Sequence, residues 1–401
     1  MIYVPHNLTA SMPTLSWRRS TPVVVLALLS LGCEKKAENG SAGAVDKITI
    51  TQTSDARADA RTYLAKLCPK PIGGELNFMV WEGYTDTLFA KPFEEACGVR
   101  VNATFMGSSD DLVAKLRGGG AQTIDLVSPS SDAITQIITA NLAMALDLKR
   151  LPSYNDLMPS FRELTMARKD SSVYGVPWAF GPNPLVYDTT KFTIPPASWA
   201  ELWDPKYRGK LSMQDDIATL WMVAQVLGMD SANDRAHLYN LTDEELARVK
   251  AKAMQLRPNI RKYWATAGDM IQLFRSGEIV AGEGWPLMTA QLRAAGFPAG
   301  ETIPSEGTTA WADHWVMTSG AKNLDAAYAW LEYTAQPFTQ KLLADVTNYI
   351  VANPGAKAYM SAEQVATQRD IADYGTRVNF WQWGPRRDKY QEVWNEVKSS
   401  H

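Results

Sequence analysis

Histidine and cysteine are scarce in this chain: four and three residues in 401. So few imidazoles leave little for a zinc site or a histidine-dependent triad, and three cysteines exclude a small disulfide-stapled fold. The sequence has no C-x-x-C pair and no G-x-S-x-G elbow, and no Lys-Ser/Thr follows Gly118-Gly119-Gly120. Thiol redox, serine hydrolase and phosphate-loop chemistry lose their usual signatures. An excess of one charge is also lacking, because 40 Lys+Arg face 43 Asp+Glu. That balance provides no basic footprint for nucleic acid. Long apolar runs are missing too: the uncharged stretch Val23 to Gly32 is half the roughly 20 residues a membrane-crossing helix needs. What remains is a globular composition, 46% hydrophobic and 21% charged, long enough for two or three domains at about 150 residues each. Tryptophan is the one surplus, at 14 residues.

Arg18 and Arg19 ahead of that short apolar run, with small residues after it, form a signal peptide over residues 1–32. Leu29-Ser30-Leu31-Gly32-Cys33 resembles a bacterial lipoprotein signal, which implies a lipidated Cys33 as the mature N-terminus. The alternative is a plain secretory signal with an incidental cysteine, and Met12 offers a second possible start. Either signal places the protein outside the cytoplasm, in the periplasm or on the outer face of the cell membrane. Cleavage removes two arginines and no acid, taking the net charge from −3 to −5. It leaves Cys68 and Cys97, an even pair in an oxidising compartment, for which a disulfide is expected and two buried free thiols are the alternative.

Residues 33–74 read as a tether, Ala/Gly/Ser/Asp-rich in their first part. From Leu76 the pattern alternates. Leu76 to Trp81 reads as a strand, a helix ends at Gly98, and Val99 to Phe105 alternates as a strand. Ser108 to Asp111 offers a helix cap, Ile124 to Val127 a short strand, and Pro129 to Asp132 a further cap. This order predicts α/β lobes with mostly parallel sheets. Gly175 to Tyr187 is rich in Pro and Gly without being polar, which suits an extended crossing between two lobes, with a surface loop as the alternative.

Ser198 to Leu211, S-W-A-E-L-W-D-P-K-Y-R-G-K-L, resembles the solute-binding proteins of bacterial ABC importers. Within that group the chain is most similar to the spermidine/putrescine-binding family. The matching elements are Trp81-Glu82-Gly83-Tyr84, Asp125 to Ser130, the pair Asp215-Asp216, Trp285 in G-E-G-W, Trp311-Ala312-Asp313, Tyr349, and Trp381-Gln382. The resemblance implies a type II periplasmic-binding-protein fold: two lobes, each a mixed, mostly parallel sheet flanked by helices, joined by crossing strands. Lobe 1 is expected at 75–182 plus 311–350, and lobe 2 at 183–310 plus 351–401. It also implies a permease and ATPase complex in the inner membrane as partners, a monomeric binding protein, no catalysis, no cofactor and no metal.

The chemistry fits such a ligand. A polyamine needs carboxylates for its ammonium groups and aromatic faces for its methylenes, each cation–aromatic contact contributing about 0.5–2 kcal/mol. The expected ligand set is Trp81, Glu82, Tyr84, Ser130, Asp132, Asp216, Trp285, Trp311, Asp313, Tyr349 and Gln382. Asp216 and Asp313 would each hold an ammonium from one lobe. Trp199, Trp203, Trp221, Trp330 and Trp394 are expected in the core, and His314 on the strand face away from Asp313. Helix capping explains Asp216 as well as a site does, and for Asp132 a helix cap is favoured over a site.

This sequence departs from the family at Thr219 and Gly83, where acids are usual, and at Asp132, where an aromatic is usual. Specificity for one polyamine therefore does not transfer. Two alternatives stand beside the polyamine reading. One is a zwitterion such as an amino acid or opine, its carboxylate at Ser130 and its amine at Asp313. The other is a secreted hydrolase using two carboxylates. A ferric site lacks paired tyrosines where ligands would converge.

Overall fold

The computed structural model describes residues 55–370, 373, 375 and 377–400. The signal at 1–32, Cys33 and the first part of the tether lie outside these residues. The tether reading of 33–74 ends earlier than expected, because Ala56–Leu67 is a helix. The Asp55 carboxylate accepts the N–H groups of Arg57 and Ala58 at 2.9 and 3.4 Å, satisfying donors the helix start leaves open. Ala56, Ala60 and Leu64 recur every four residues and bury one face. Cys68 at the end of this helix is bonded to Cys97 at the end of the helix Thr87–Cys97. The expected disulfide thus fastens the N-terminal helix to the first helix of the lobe. Gly98 follows in the left-handed region at φ 66° and ends that helix.

Among the described residues fourteen strands follow in chain order. β1 is Glu75–Val80, β2 Arg100–Phe105, β3 Leu126–Val127, β4 Arg168–Lys169, β5 Ser172–Val173, β6 Gly175–Pro182 and β7 Leu185–Asp188. β8 is Leu211–Gln214, β9 Ile260–Trp264, β10 Ala281–Glu283, β11 Ala299–Thr302, β12 Thr308–Met317, β13 Ile350–Val351 and β14 Val378–Phe380. The first lobe's sheet runs β13-β6-β12-β3-β1-β2, with β14 paired to β12, and the second lobe's sheet runs β11-β7-β10-β8-β9. β1 is parallel to β2 and β3, β8 to β9 and β10, and β12 to β14, whereas β6 pairs antiparallel with β12 and β13, β7 with β10 and β11, and β12 with β3. Gly175 to Tyr187 runs buried from one sheet into the other as β6 and β7. This is the lobe crossing expected from its apolar Pro/Gly composition.

β12 is buried along its whole length. Opposite it, β6 contains Pro177, which has no N–H to contribute to a ladder. The register skips Trp178 there, pairing Asp313 with Ala179 and His314 with Pro177. The irregularity falls beside Asp313, where the first sheet faces the second lobe. The parallel strands of both sheets end at the groove between the lobes, the position where open α/β sheets bind ligands.

Candidate functional site

A tightly closed cleft of about 10 Å³ is lined by Trp81, Tyr84, Ser130, Trp285, Trp311, Asp313, Tyr349 and Trp381. Trp81 and Tyr84 follow the end of β1, Ser130 follows β3, and Trp311 and Asp313 lie on β12, all in the first lobe. Trp285 follows β10 of the second lobe, so both lobes contribute walls. Trp81 and Trp285 meet edge to face at 5.5 Å, and Trp264 backs Trp285 at 4.9 Å. Trp311 meets Tyr349 at 4.5 Å, and Tyr84 meets Tyr349 at 6.1 Å. The indole N–H groups of Trp81 and Trp311 have no protein partner.

Strand alternation places these groups. Trp311, Asp313 and Trp315 share one face of β12. His314 turns to the other face, where its ring packs on Phe161 at 5.0 Å and burial lowers its pKa to about 4. The Trp311 ring lies against β6 at Gly181, where an added Cβ would come within 2.9 Å of it. Only glycine leaves that space.

Asp313 is the single carboxylate among the cleft-lining residues. Ser130 Oγ donates to its Oδ1 at 2.6 Å, and the Tyr84 hydroxyl donates to its Oδ2. Burial raises its pKa to about 8, while the Ser130 and Tyr84 hydrogen bonds pull down and the nearby Asp132 charge pushes up. The carboxyl is desolvated, has two hydroxyl donors and has no basic partner among the described residues, so it is suited to an ammonium group surrounded by aromatic faces.

Other residues expected in the site have different surroundings. Glu82 is not among the cleft-lining residues, although its charge acts on Tyr349, and it accepts the backbone N–H of Ala267, the first residue of the helix Ala267–Arg275 in the second lobe. It caps that helix across the lobe boundary, where a negative charge is favoured. Gly83 beside it takes φ 89°, which explains a glycine where an acid is usual. Asp132 does not cap a helix: the helix Ile134–Thr139 starts without a side-chain cap. Instead Asp132 accepts Ser109 Oγ at 2.8 Å, and its Oδ2 lies 2.9 Å from Arg387 Nη1. That second contact is an ion pair without an aligned hydrogen bond. Asp216 accepts the Ala218 N–H at 2.8 Å, at the start of the helix Ala218–Val226, and faces a separate groove shared with Asp110 and Arg387. Gln382 is exposed, whereas its neighbour Trp381 enters the cleft and donates Nε1–H to Thr309 Oγ1 at 2.9 Å.

Two buried groups had weaker signals in the sequence. Trp381 belonged to the W-Q pair, but a terminal loop has no period to say which member turns inward. Glu283 lies in G-E-G-W, two residues before Trp285. It is buried, accepts Asn183 Nδ2 at 3.1 Å and lies 3.5 Å from Thr219 Oγ1. Burial raises its pKa to about 7; Asn183 and Thr219 lower it, and the Asp216 charge raises it. Asp216 itself is raised to about 7 by burial, against the pull of Arg387 and the Ala218 N–H. An acid between two glycines on an otherwise apolar strand was the available clue to Glu283. Of the tryptophans expected in the core, Trp199, Trp221, Trp330 and Trp394 are buried, and Trp203 is half-buried with Lys252 over its ring at 4.7 Å.

Among the described residues no helix is long and apolar enough to cross a membrane. A family model described as bacterial extracellular solute-binding protein matches residues 89–372. The spermidine/putrescine-binding periplasmic protein of Escherichia coli K12 is 24% identical over 335 residues, 81% of this chain and 91% of the relative. The putrescine-binding periplasmic protein PotF of the same organism is 27% identical over 309 residues, 72% of this chain and 80% of the relative. A solved structure described as a putative spermidine/putrescine ABC transporter from Listeria monocytogenes superimposes with a TM-score of 0.71 at 22% identity. It covers 81% of this chain and 99% of that one.

Proposed function

The chain belongs to the bacterial extracellular solute-binding protein family, and we propose that it captures a cationic amine of the putrescine/spermidine class between its lobes. As a member of that family it is the binding component of an importer and not an enzyme, so the hydrolase reading is dropped. The observation that carries the amine reading is the buried Asp313 carboxyl, held by Ser130 and Tyr84 and walled by Trp81, Trp285, Trp311, Trp381 and Tyr349. An ammonium replaces the proton on Asp313 while the rings cover the methylenes. Because Trp285 and Trp81 come from opposite lobes, an occupant touching both favours the closed arrangement. The zwitterion reading has less support, since Ser130 donates its hydroxyl to Asp313 and so is engaged away from a ligand carboxylate.

The ligand would pass to an ABC permease and its ATPase, and the chain would act as a monomer tethered through lipidated Cys33. Calorimetric titration of the domain beginning after Cys33 with putrescine, spermidine and a panel of amino acids tests the ligand class. Saturable binding of an amine is expected. Heat only from an amino acid would replace the reading with the zwitterion one. Cys33→Ser should release the full-length protein from membranes, and continued membrane association would refute the lipid tether.

A further inference from the structure

Asp132 and Asp216, both expected in the ligand set, face a cation the chain itself supplies. Arg387 opens the helix Arg387–Ser399; that helix packs on the second lobe, where Trp394 Nε1 and Lys398 Nζ bond Asp215 Oδ1 at 3.1 and 2.7 Å. The Arg387 guanidinium reaches across to the first lobe. Its Nε lies 2.9 and 3.1 Å from the two Asp110 oxygens, its Nη2 2.9 Å from Asp110 Oδ2, and its Nη1 2.9 Å from Asp132 Oδ2. The side chain is 4% exposed and stacks 4.2 Å over Trp383. Burial opposes its charge, but the carboxylates of Asp132, Asp110 and Asp216 outweigh that and hold its pKa above the ordinary value. Forked pairing of this kind fixes an arginine more firmly than a point charge.

This cluster adjoins the aromatic cleft. Ser131, next to Asp132, donates Oγ–H to the Trp381 carbonyl at 2.8 Å. Trp381 meets Trp221 edge to face at 5.7 Å, and Arg387 lies 5.8 Å from the centre of the Trp221 ring. The charge at the Trp381 end of the slot is therefore a guanidinium with its acids already engaged. A long polyamine extending from Asp313 past Trp381 approaches that guanidinium, whose partners Asp110 and Asp132 are already engaged. Leaving a desolvated ammonium without a partner costs several kcal/mol, and setting like charges together adds to it.

We propose that Arg387 is a specificity-determining residue, a built-in cation that restricts the slot to short amines held by one ammonium at Asp313 and disfavours longer polyamines. The inference rests on the amine reading of the cleft and deepens it. The test is calorimetry with putrescine and spermidine on the wild-type domain, Arg387→Lys, Arg387→Met, and the double variant Arg387→Met/Asp132→Asn. The double variant leaves no unpaired Asp132 charge in case the single one fails to fold. The wild type should favour putrescine by at least about tenfold, and Arg387→Lys should keep that preference. The Met variants should shift the putrescine-to-spermidine ratio at least about tenfold toward spermidine, as expected when a buried charge pair is opened. Spermidine binding gained in a Met variant supports the inference even if wild type is silent to both amines. An unchanged ratio with putrescine still bound overturns the inference and leaves the amine reading standing. Silence to both amines in every folded variant overturns both.

Discussion

Protonation of Asp313 should control ligand affinity. Its pKa is raised to about 8 by burial, so at pH 7 about nine in ten ligand-free molecules carry the proton. An ammonium needs the carboxylate, and alkylammonium groups stay charged up to about pH 10. Binding at neutral pH must therefore expel the Asp313 proton. Each pH unit below 8 costs about 1.4 kcal/mol, a factor of about ten in affinity. The other titratable groups lining the cleft are Tyr84 and Tyr349, both pushed well above the ordinary tyrosine value by burial, so they stay neutral over this range. The association constant for putrescine should rise about ninefold from pH 6 to 7, about fivefold from pH 7 to 8, and then flatten. Calorimetry at pH 7 in buffers of different ionisation enthalpy should record about 0.9 proton released per amine bound. Asp313→Asn, which fixes a neutral side chain, should weaken binding at pH 8 by tenfold or more and abolish both the pH slope and the proton release. Constant wild-type affinity between pH 6 and 8 with no proton release would refute the reasoning.

Trp285→Leu removes the second lobe's aromatic wall and should weaken putrescine by about 3- to 30-fold, the value of one desolvated cation–aromatic contact; titration with unchanged affinity would place that ring outside the contact surface. The Cys68–Cys97 bridge closes a separation of 29 residues, so reduction or a double serine variant should destabilise the fold by about 3.5 kcal/mol on the loop-entropy account. An unchanged urea midpoint would count against it. Asp313, Asp216 and Glu283 all have carboxyl pKa values raised above the unfolded range. The folded chain holds protons that the unfolded chain loses above about pH 4, so ligand-free stability falls as pH rises from there through about 8. Melting temperature should be higher at pH 5.5 than at pH 8, and Glu283→Gln should lessen the difference; a melting temperature that climbs across this window would contradict the assignment.

The sequence exposed the site's main wall because strand periodicity carries that information. Trp311 and Asp313 alternate with Ala312 and His314, so one face must hold the ring and the acid, and the other the histidine. The tryptophan surplus divides on the same principle. Trp81, Trp285, Trp311 and Trp381 reach the cleft, while Trp178, Trp199, Trp221, Trp264, Trp315, Trp330 and Trp394 fill the core. Gln382 is exposed beside the cleft-lining Trp381, and a loop near the chain terminus has no such period to say which member of the pair turns inward. The tether was drawn too far because small residues such as Ala56 and Ala60 suit both a linker and a helix packed against a neighbour.

By itself the sequence determined the alternation of strands and helices, the lobe crossing, the cysteine pair and which residues share one face of β12. All of these depend on local pattern or on residue type. Tertiary structure alone decided which acids remain available. Asp132 and Arg387 are 255 positions apart in sequence, and nothing local distinguishes an aspartate that awaits an ammonium from one already facing a guanidinium 2.9 Å away. Charge pairing depends on distance in space, and the fold brings Arg387 to Asp110 and Asp132 while leaving Asp313 with two hydroxyls and no cation among the described residues.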